Sequence, residues 1–494
     1  MKIISAILFF TLLSMNTHAQ QSYLNKRFNF EILDLGHSIL ANDTGYVILN
    51  GFLDSTGVLG FHLIKTDLNL NVISIVKHGA FPYSINAGAS GSLGYLDSNL
   101  FVTGSIYSNG HDSRFYLFND NGDTIWTKSY GDSLFQSSWQ TKKTRDNGYA
   151  ILVNSDTYGS SGCVVLMKID SVGNLLWEQH YPFTRADAGI TLDTTFDGGF
   201  IIGGATLSYG VPVGSDCANA YCIKTDSAGN LQWYKSIGGP FYDIAWHVMQ
   251  ARDSNFVFAG TSVYFDPSPP TSCGDGYGIS QPYVFKLRPN GDTLWTRRYG
   301  EPHFDTGLRI ARELEDGSYI AAGQAYVDST NTYLGLIIHL SSEGDSLWYR
   351  TYINLSSNYS YNILYDIQQT SDKGFIACGF VVPGGVPDTG RQDTWILQVD
   401  SNGCEVANCL LSDILDVTST TNLNIWPNPS TGHFFVETNG ERINSWMVFD
   451  QLGGLILNGI GDLQELNLEK FSNGIYYYRF IMDDKIISGK LIRD

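Results

Sequence analysis

Between Asp43 and Asp372 apolar residues fall in short runs separated by polar turns, and the runs come four at a time. In one such unit they are Ile244 to Gln250, Phe256 to Thr261, Tyr283 to Leu287 and Thr293 to Tyr299. None is long enough or has the 3.6-residue period for a helix, and the Val, Ile, Tyr, Phe and Trp content predicts strands.

The units are bounded by a phrase that occurs seven times: an aspartate, two small or polar residues, an aromatic or leucine, then an apolar run. It begins at Asp43, Asp97, Asp146, Asp197, Asp253, Asp316 and Asp372, at intervals of 54, 49, 51, 56, 63 and 56 residues. A glycine stands seven places after the aspartate in five copies, at Gly104, Gly204, Gly260, Gly323 and Gly379. In the first copy it comes one place later, at Gly51, and the third has none.

A second phrase, Gly-Asn/Asp followed by two residues and a tryptophan, alternates with the first. It runs from Gly122 to Trp126, Gly173 to Trp177, Gly229 to Trp233, Gly291 to Trp295 and Gly344 to Trp348, with degenerate versions at Asp67 to Ser74 and Asp400 to Ala407. Two motifs in one phase define a repeat. Glycine and asparagine accept positive φ and aspartate bonds its own downstream amides, so both phrases are tight turns.

Four strands per unit and seven units predict an all-β chain whose main domain, residues 20–410, is a seven-bladed β-propeller. A solenoid or two stacked sandwiches are the alternatives. The segment Leu24-Asn-Lys-Arg-Phe28 matches the fourth-strand phrase Trp295-Thr-Arg-Arg-Tyr299, so it is expected to pair into the last blade and close the ring.

The termini change the picture. Lys2, an apolar run from Ile3 to Met15 and the small-residue signal Thr17-His-Ala19 predict a secretory signal peptide over residues 1–19. No later stretch approaches the roughly 20 apolar residues of a membrane span. The formal charge of −19 argues against a nucleic-acid partner, which needs clustered Lys and Arg. Export permits disulfides. Cys404 and Cys409 suit a local bridge, one pair is expected among Cys217, Cys222 and Cys273, and Cys163 and Cys378 read as buried thiols.

A polar linker spans residues 411–423. Beyond it, residues 424–494 carry Pro and Gly turns between alternating segments and predict a small antiparallel β-sandwich. Its motifs come in the order Pro427-Asn428-Pro429-Ser-Thr-Gly432, Asp450-Gln-Leu-Gly453, Asn473-Gly474-Ile-Tyr476 and Lys490-Leu-Ile492. This order resembles the type A C-terminal sorting domain of the bacterial type IX secretion system. The resemblance implies a Gram-negative source, the type IX machinery as partner, and a mature protein released or attached at the outer-membrane surface. The repeats are similar to uncharacterised propeller-like repeats that precede such domains, which bears on architecture alone.

Assembled chemistry is hard to find. The ten histidines are dispersed without a His-Glu-x-x-His or paired Cys-x-x-Cys spacing, so neither a metal nor a cofactor is expected. Asn119-Asp-Asn-Gly-Asp123 comes nearest to a calcium loop, but lies in the repeated turn. Gly159-Ser-Ser-Gly162 lacks nucleophile-elbow spacing. The turn phrases also miss the spacings of sialidase and quinoprotein repeats. The seven aspartates are expected to cap turns and the tryptophans to pack between blades.

Loop length is the informative asymmetry. Connections between second and third strands vary widely and share one face, and the longest are Leu207 to Asn219, Val263 to Gln281 and Val382 to Asp393. Loops on a rigid scaffold are where binding usually resides. Tyr209, Asp216, Tyr264, Phe265, Asp266, Asp275 and Tyr277 combine aromatic faces with carboxylates, which suits an extracellular polysaccharide or protein ligand. The expected function is a binding or adhesion module. The alternative is a glycan-cleaving enzyme with carboxylates from different blades meeting at the funnel.

Overall fold

The structure, a computed structural model, describes residues 24–494 apart from 80–83, 88–92, 97–98, 109, 132–135, 156–162, 183–186, 209–216, 240, 266–278, 301–302, 305, 328–330, 356–358, 385–390, 406–423, 439–441, 450–454 and 483–485. Among the described residues every element is a strand, and no helix is long and apolar enough to cross a membrane.

Seven antiparallel sheets follow one another along the chain, six of them built in sequence order from an inner to an outer strand and the seventh taking its outer strand from the N-terminal segment. Blade one is typical: Leu33–Asn42, Gly45–Leu53, Leu59–Asp67 and Val72–His78. Inner strands of neighbouring blades touch, which puts them around a common axis. The second and third strands are buried along almost their whole length, whereas the outer strand alternates toward solvent. Blade two departs from the pattern, because its inner strand is split into Ser84–Ala87 and Leu93–Leu96. Blade five gains a short strand, His303–Phe304, beside Ile279–Leu287.

The ring closes as the N-terminal segment predicts. Asn25–Phe28 supplies the outer strand of blade seven, antiparallel to Asp393–Val399, with Asn25 opposite Leu397 and Phe28 opposite Thr394. Phe28 then joins a core that also contains Leu70 of blade one and Ile376 and Ile396 of blade seven.

The first repeated phrase ties together the strands of its own blade, and the second holds neighbouring blades together. At Asp146 the carboxylate accepts from the Thr144 hydroxyl and the Gly148 amide, and it pairs at 2.9 Å with Lys168, a buried third-strand residue. Burial opposes the Asp146 charge, yet Thr144, Lys168 and Gly148 together hold the carboxyl down at about 2. Asp197 with Lys224 and Asp253 with Lys286 repeat the pair, so the turn aspartate caps its turn and neutralises a buried ammonium. The glycine of the second phrase packs under the preceding blade. A Cβ on Gly229, at φ 78°, would stand 2.7 Å from the Trp177 ring. Four residues beyond Trp177 in the same strand, the Tyr181 hydroxyl donates to the Gly229 carbonyl at 2.7 Å. Tyr130 with Gly173, Tyr299 with Gly344 and Tyr352 with Gly403 do the same.

Residues 424–494 form two sheets, one of Asn424–Trp426, His433–Glu437 and Glu465–Asn467, the other of Leu455–Ile460, Ile443–Phe449, Gly474–Met482 and Ile486–Arg493. Phe434, Val436 and Leu466 of the first pack against Ile443, Val448, Tyr476, Phe480 and Leu491 of the second. The sequence motifs meet in space: the Asn428 side chain donates to the Lys490 carbonyl at 2.7 Å and accepts from the Ile492 amide at 2.8 Å. Pro427 and Pro429 flank that asparagine in the turn, Gly432 packs on Glu469, and Tyr476 donates to the Ser472 carbonyl.

Candidate ligand-binding axis

Six inner strands carry a β-bulge at the same place, which adds one residue and re-aims it. The register shifts lie at 36/38, 138/140, 189/191, 245/247, 308/310 and 364/366. The extra residues are His37, Trp139, Ile190, Trp246, Arg309 and Tyr365. In four blades the glycine of the first phrase makes room for the bulge. A Cβ on Gly204, Gly260 or Gly379 would fall 1.9 Å from a carbonyl oxygen of the bulging strand. Blade three bulges with Val153 in the glycine's place.

The bulged residues form one run around the axis. The rings of His37 and Tyr365 lie 6.2 Å apart, edge to face. The Arg309 guanidinium sits 5.5 Å from the Tyr365 ring and 4.3 Å from the Trp246 ring. Trp246 and Trp139 both pack on a cluster containing Ile190 and Ile244. Leu207 and Ala218, at the two ends of the long loop of repeat four, and Tyr242 belong to the same cluster, so the axis is continuous with the loop-bearing face.

Charge at the axis is positive. Arg309 directs Nε and Nη2 at Gln324 Oε1, at 3.4 and 3.1 Å, and no carboxylate of the described residues lies within ion-pair distance of it. His37 is buried, its Nδ1 has no hydrogen-bond partner, and burial pushes its imidazole down to about 4, so it is neutral at physiological pH.

Acids on the inner strands are engaged elsewhere. Three residues before the bulge, Asp34 accepts from the Phe30 and Glu31 amides at 2.8 Å and from Asn50 at 2.7 Å. Asp187 accepts from the Leu207 and Ser208 amides at 3.0 and 3.3 Å, and Asp243 accepts from the Gly239 amide at 2.7 Å. Burial pushes Asp243 up to about 6. These carboxylates fix the roots of loops. Asp366 ties three blades, accepting from Ser38 and Ile39 of blade one and from Arg312 of blade six. Among the described residues no group of three or more His, Cys, Asp and Glu could hold a metal ion.

Of the residues expected to bind, Tyr209, Asp216, Asp266, Asp275 and Tyr277 lie outside the described residues. Tyr264 and Phe265 are strand residues and not loop residues: the strand Phe256–Phe265 runs further than its apolar core, and Val263 and Phe265 pair with Ser280 and Ile279. Cys217 and Cys404 are disulfide-bonded, whereas Cys273 and Cys409 lie outside the described residues. Cys222, expected as a bridge candidate, is a free thiol, because its third-strand position points it into the core of blade five. Cys163 and Cys378 are free and buried.

The axial residues escaped the sequence reading. They stand seven places before the repeat aspartate, six in the first copy, but apart from the two tryptophans Trp139 and Trp246 their side chains differ from copy to copy, so no motif marks them. The repeat glycine was the available signal, since it marks the bulge.

These features define a class: an all-β, seven-bladed propeller followed by a small C-terminal sandwich. Residues 424–494 match the family model described as secretion system C-terminal sorting domain. The tail is a type IX sorting domain, which indicates a secreted or cell-surface protein of Bacteroidetes-type bacteria, a Gram-negative group, and an interaction with the type IX machinery. No curated protein matches the chain. Among solved structures it is similar to Drosophila semaphorin 2a, with 9% identity, TM-score 0.43 and coverage of 96% of this chain and 98% of that one. It is also similar to the β-propeller domain of the Trilobed protease from Pyrococcus furiosus, with 8% identity, TM-score 0.37 and coverage of 76% and 96%. The BP39L lectin from Burkholderia pseudomallei gives 11% identity, TM-score 0.40 and coverage of 76% and 98%.

Proposed function

We propose that the protein is an exported binding or adhesion module, attached at the outer-membrane surface or released, that holds an extracellular polysaccharide or protein on the loop-bearing face of the propeller. The observation that carries this reading is a contrast between faces. The turns at one end of the blades repeat the same residues, while at the other the bulges bring His, Trp, Ile, Trp, Arg and Tyr to one axis beneath the long loops. Uniform residues serve the scaffold, whereas chemically varied ones on a shared concave locus suit recognition. Tyr209, Asp216, Tyr264, Phe265, Asp266, Asp275 and Tyr277, expected from the sequence to bind, belong to the same proposed surface.

The test is to present the exported chain with a panel of polysaccharides and extracellular proteins, reading retention and product release together. Retention without new reducing ends or fragments is expected, and Trp246→Ala should weaken it at least about tenfold, the scale of losing one buried aromatic contact. Release of products would put glycan cleavage first. Retention unchanged by Trp246→Ala and by shortening the Val263 to Gln281 loop would refute the reading. Deleting residues 424–494 should leave the propeller inside the outer membrane.

A further inference from the structure

We propose that the axis takes an isolated carboxylate carried on a saccharide, with Arg309 as its anchor. This rests on the reading of the loop-bearing face as a binding surface and names the ligand chemistry.

Among the described residues Arg309 has no counter-ion. The chain has 49 acids against 30 lysines and arginines, and the arginine one turn of pleat away in the same strand, Arg312, meets Asp366 at 2.6 Å. Arg309 has only the amide oxygen of Gln324, which takes Nε and one Nη2 proton and leaves the Nη1 edge open. The rings of Trp246 and Tyr365 hold the guanidinium plane in place. A planar fork fixed this way matches a carboxylate, which accepts two parallel N–H bonds.

The neighbouring groups supply further donors. Trp246 and Tyr365 are half-buried, and neither the Trp246 indole N–H nor the Tyr365 hydroxyl makes a hydrogen bond to a described residue. Half-buried rings beside hydroxyl-seeking donors suit a sugar, whose faces alternate C–H and O–H. The buried His37 ring lies edge to face with Tyr365 and is neutral, so it adds no positive charge beside Arg309.

Overall charge selects how the carboxylate is presented. A formal −19 repels a dense polyanion, but a single carboxylate inside the screening length of about 8 Å from Arg309 feels chiefly that guanidinium. A uronic acid at a chain end or on a sparse branch fits these conditions.

The test titrates the full exported chain with a glucuronic-acid-terminated oligosaccharide, with the same oligosaccharide after reduction of the acid to the alcohol, and with a short glutamate peptide. The difference in tryptophan fluorescence between the full chain and Trp246→Ala provides a local readout, since the chain has ten tryptophans. The acid sugar should bind at least about tenfold tighter than its alcohol, the scale of one charge-assisted bidentate contact. Arg309→Gln should abolish that preference and Arg309→Lys should restore part of it, with thermal unfolding confirming that both variants fold. Equal binding of acid and alcohol, a preference that survives Arg309→Gln, binding of the peptide alone, or no binding of any probe would overturn the proposal. If acid and alcohol bind equally and Trp246→Ala removes both, the binding surface stands and the carboxylate does not.

Discussion

At the scale of the residue, His37 makes a buried axial position sensitive to acid. Its folded-state value is pushed by burial from 6.5 to about 4, so between those values the unfolded chain binds the proton and the folded chain does not. Stability is therefore present above pH 6.5 and is lost as the pH falls toward 4, by on the order of 3 kcal/mol for complete transfer. His62, lowered to about 4 chiefly by burial, acts in the same direction. Asp243 acts oppositely: burial raises it from 3.8 to about 6, so its contribution grows as pH falls across that window. His37→Phe should flatten the acid side of a pH series of thermal unfolding. An unchanged slope would mean that His37 is not held neutral. The repeated residues around it were legible, since Asp146 and Gly204 recur in phase with their equivalents. The axial residues were hidden because, the two tryptophans apart, the blades use different ones, and strands buried on both faces lack the polar/apolar alternation whose phase flip would reveal a one-residue bulge.

At the scale of the element, the tryptophan, glycine and tyrosine positions act as one lock between consecutive blades. Tyr352 is almost wholly buried and donates to the Gly403 carbonyl at 2.8 Å, while Trp348 lies 2.9 Å from where a Gly403 Cβ would stand. Tyr352→Phe keeps the ring and leaves that carbonyl unpaired, at a cost of about 1 kcal/mol. Gly403→Ala forces a Cβ into the Trp348 and Arg350 side chains at φ 75°, which costs about 1 to 3 kcal/mol more than the loss of chain entropy returns. Thermal unfolding of the two variants measures both, and Gly403→Ala should be the more damaging. The turn phrases were read correctly as turns, but their partners lie a blade away. Trp177 is separated from Gly229 by the length of a whole repeat, a pairing that becomes visible only once the sheets are stacked.

At the scale of the whole molecule, the ring depends on a strand that is first in the chain and last in the circle. The Asn25 side chain accepts from the Trp395 indole at 2.7 Å across 370 residues of sequence and donates to the Ile353 carbonyl at 3.0 Å. Lys26 donates to the Leu70 carbonyl at 2.7 Å, tying the outer strand of blade seven to blade one. A contact so distant in sequence carries the largest loop-closure cost and gains least from local structure, so it is expected to form after the blades. Phe28→Ala should then speed unfolding and leave refolding almost unchanged, with a loss on the order of 3 kcal/mol from its buried ring. Arg27→Ala, which removes a half-exposed pair with Asp393 at 3.3 Å, should cost less than about 1 kcal/mol. Removing residues 24–28 altogether exposes the edge of Asp393–Val399 and should promote self-association through that strand. Denaturant-jump kinetics and light scattering read these outcomes. Slower refolding of Phe28→Ala would show that closure nucleates the ring, and a truncated chain that stayed monomeric with unchanged unfolding would show that the seventh blade does not need its fourth strand.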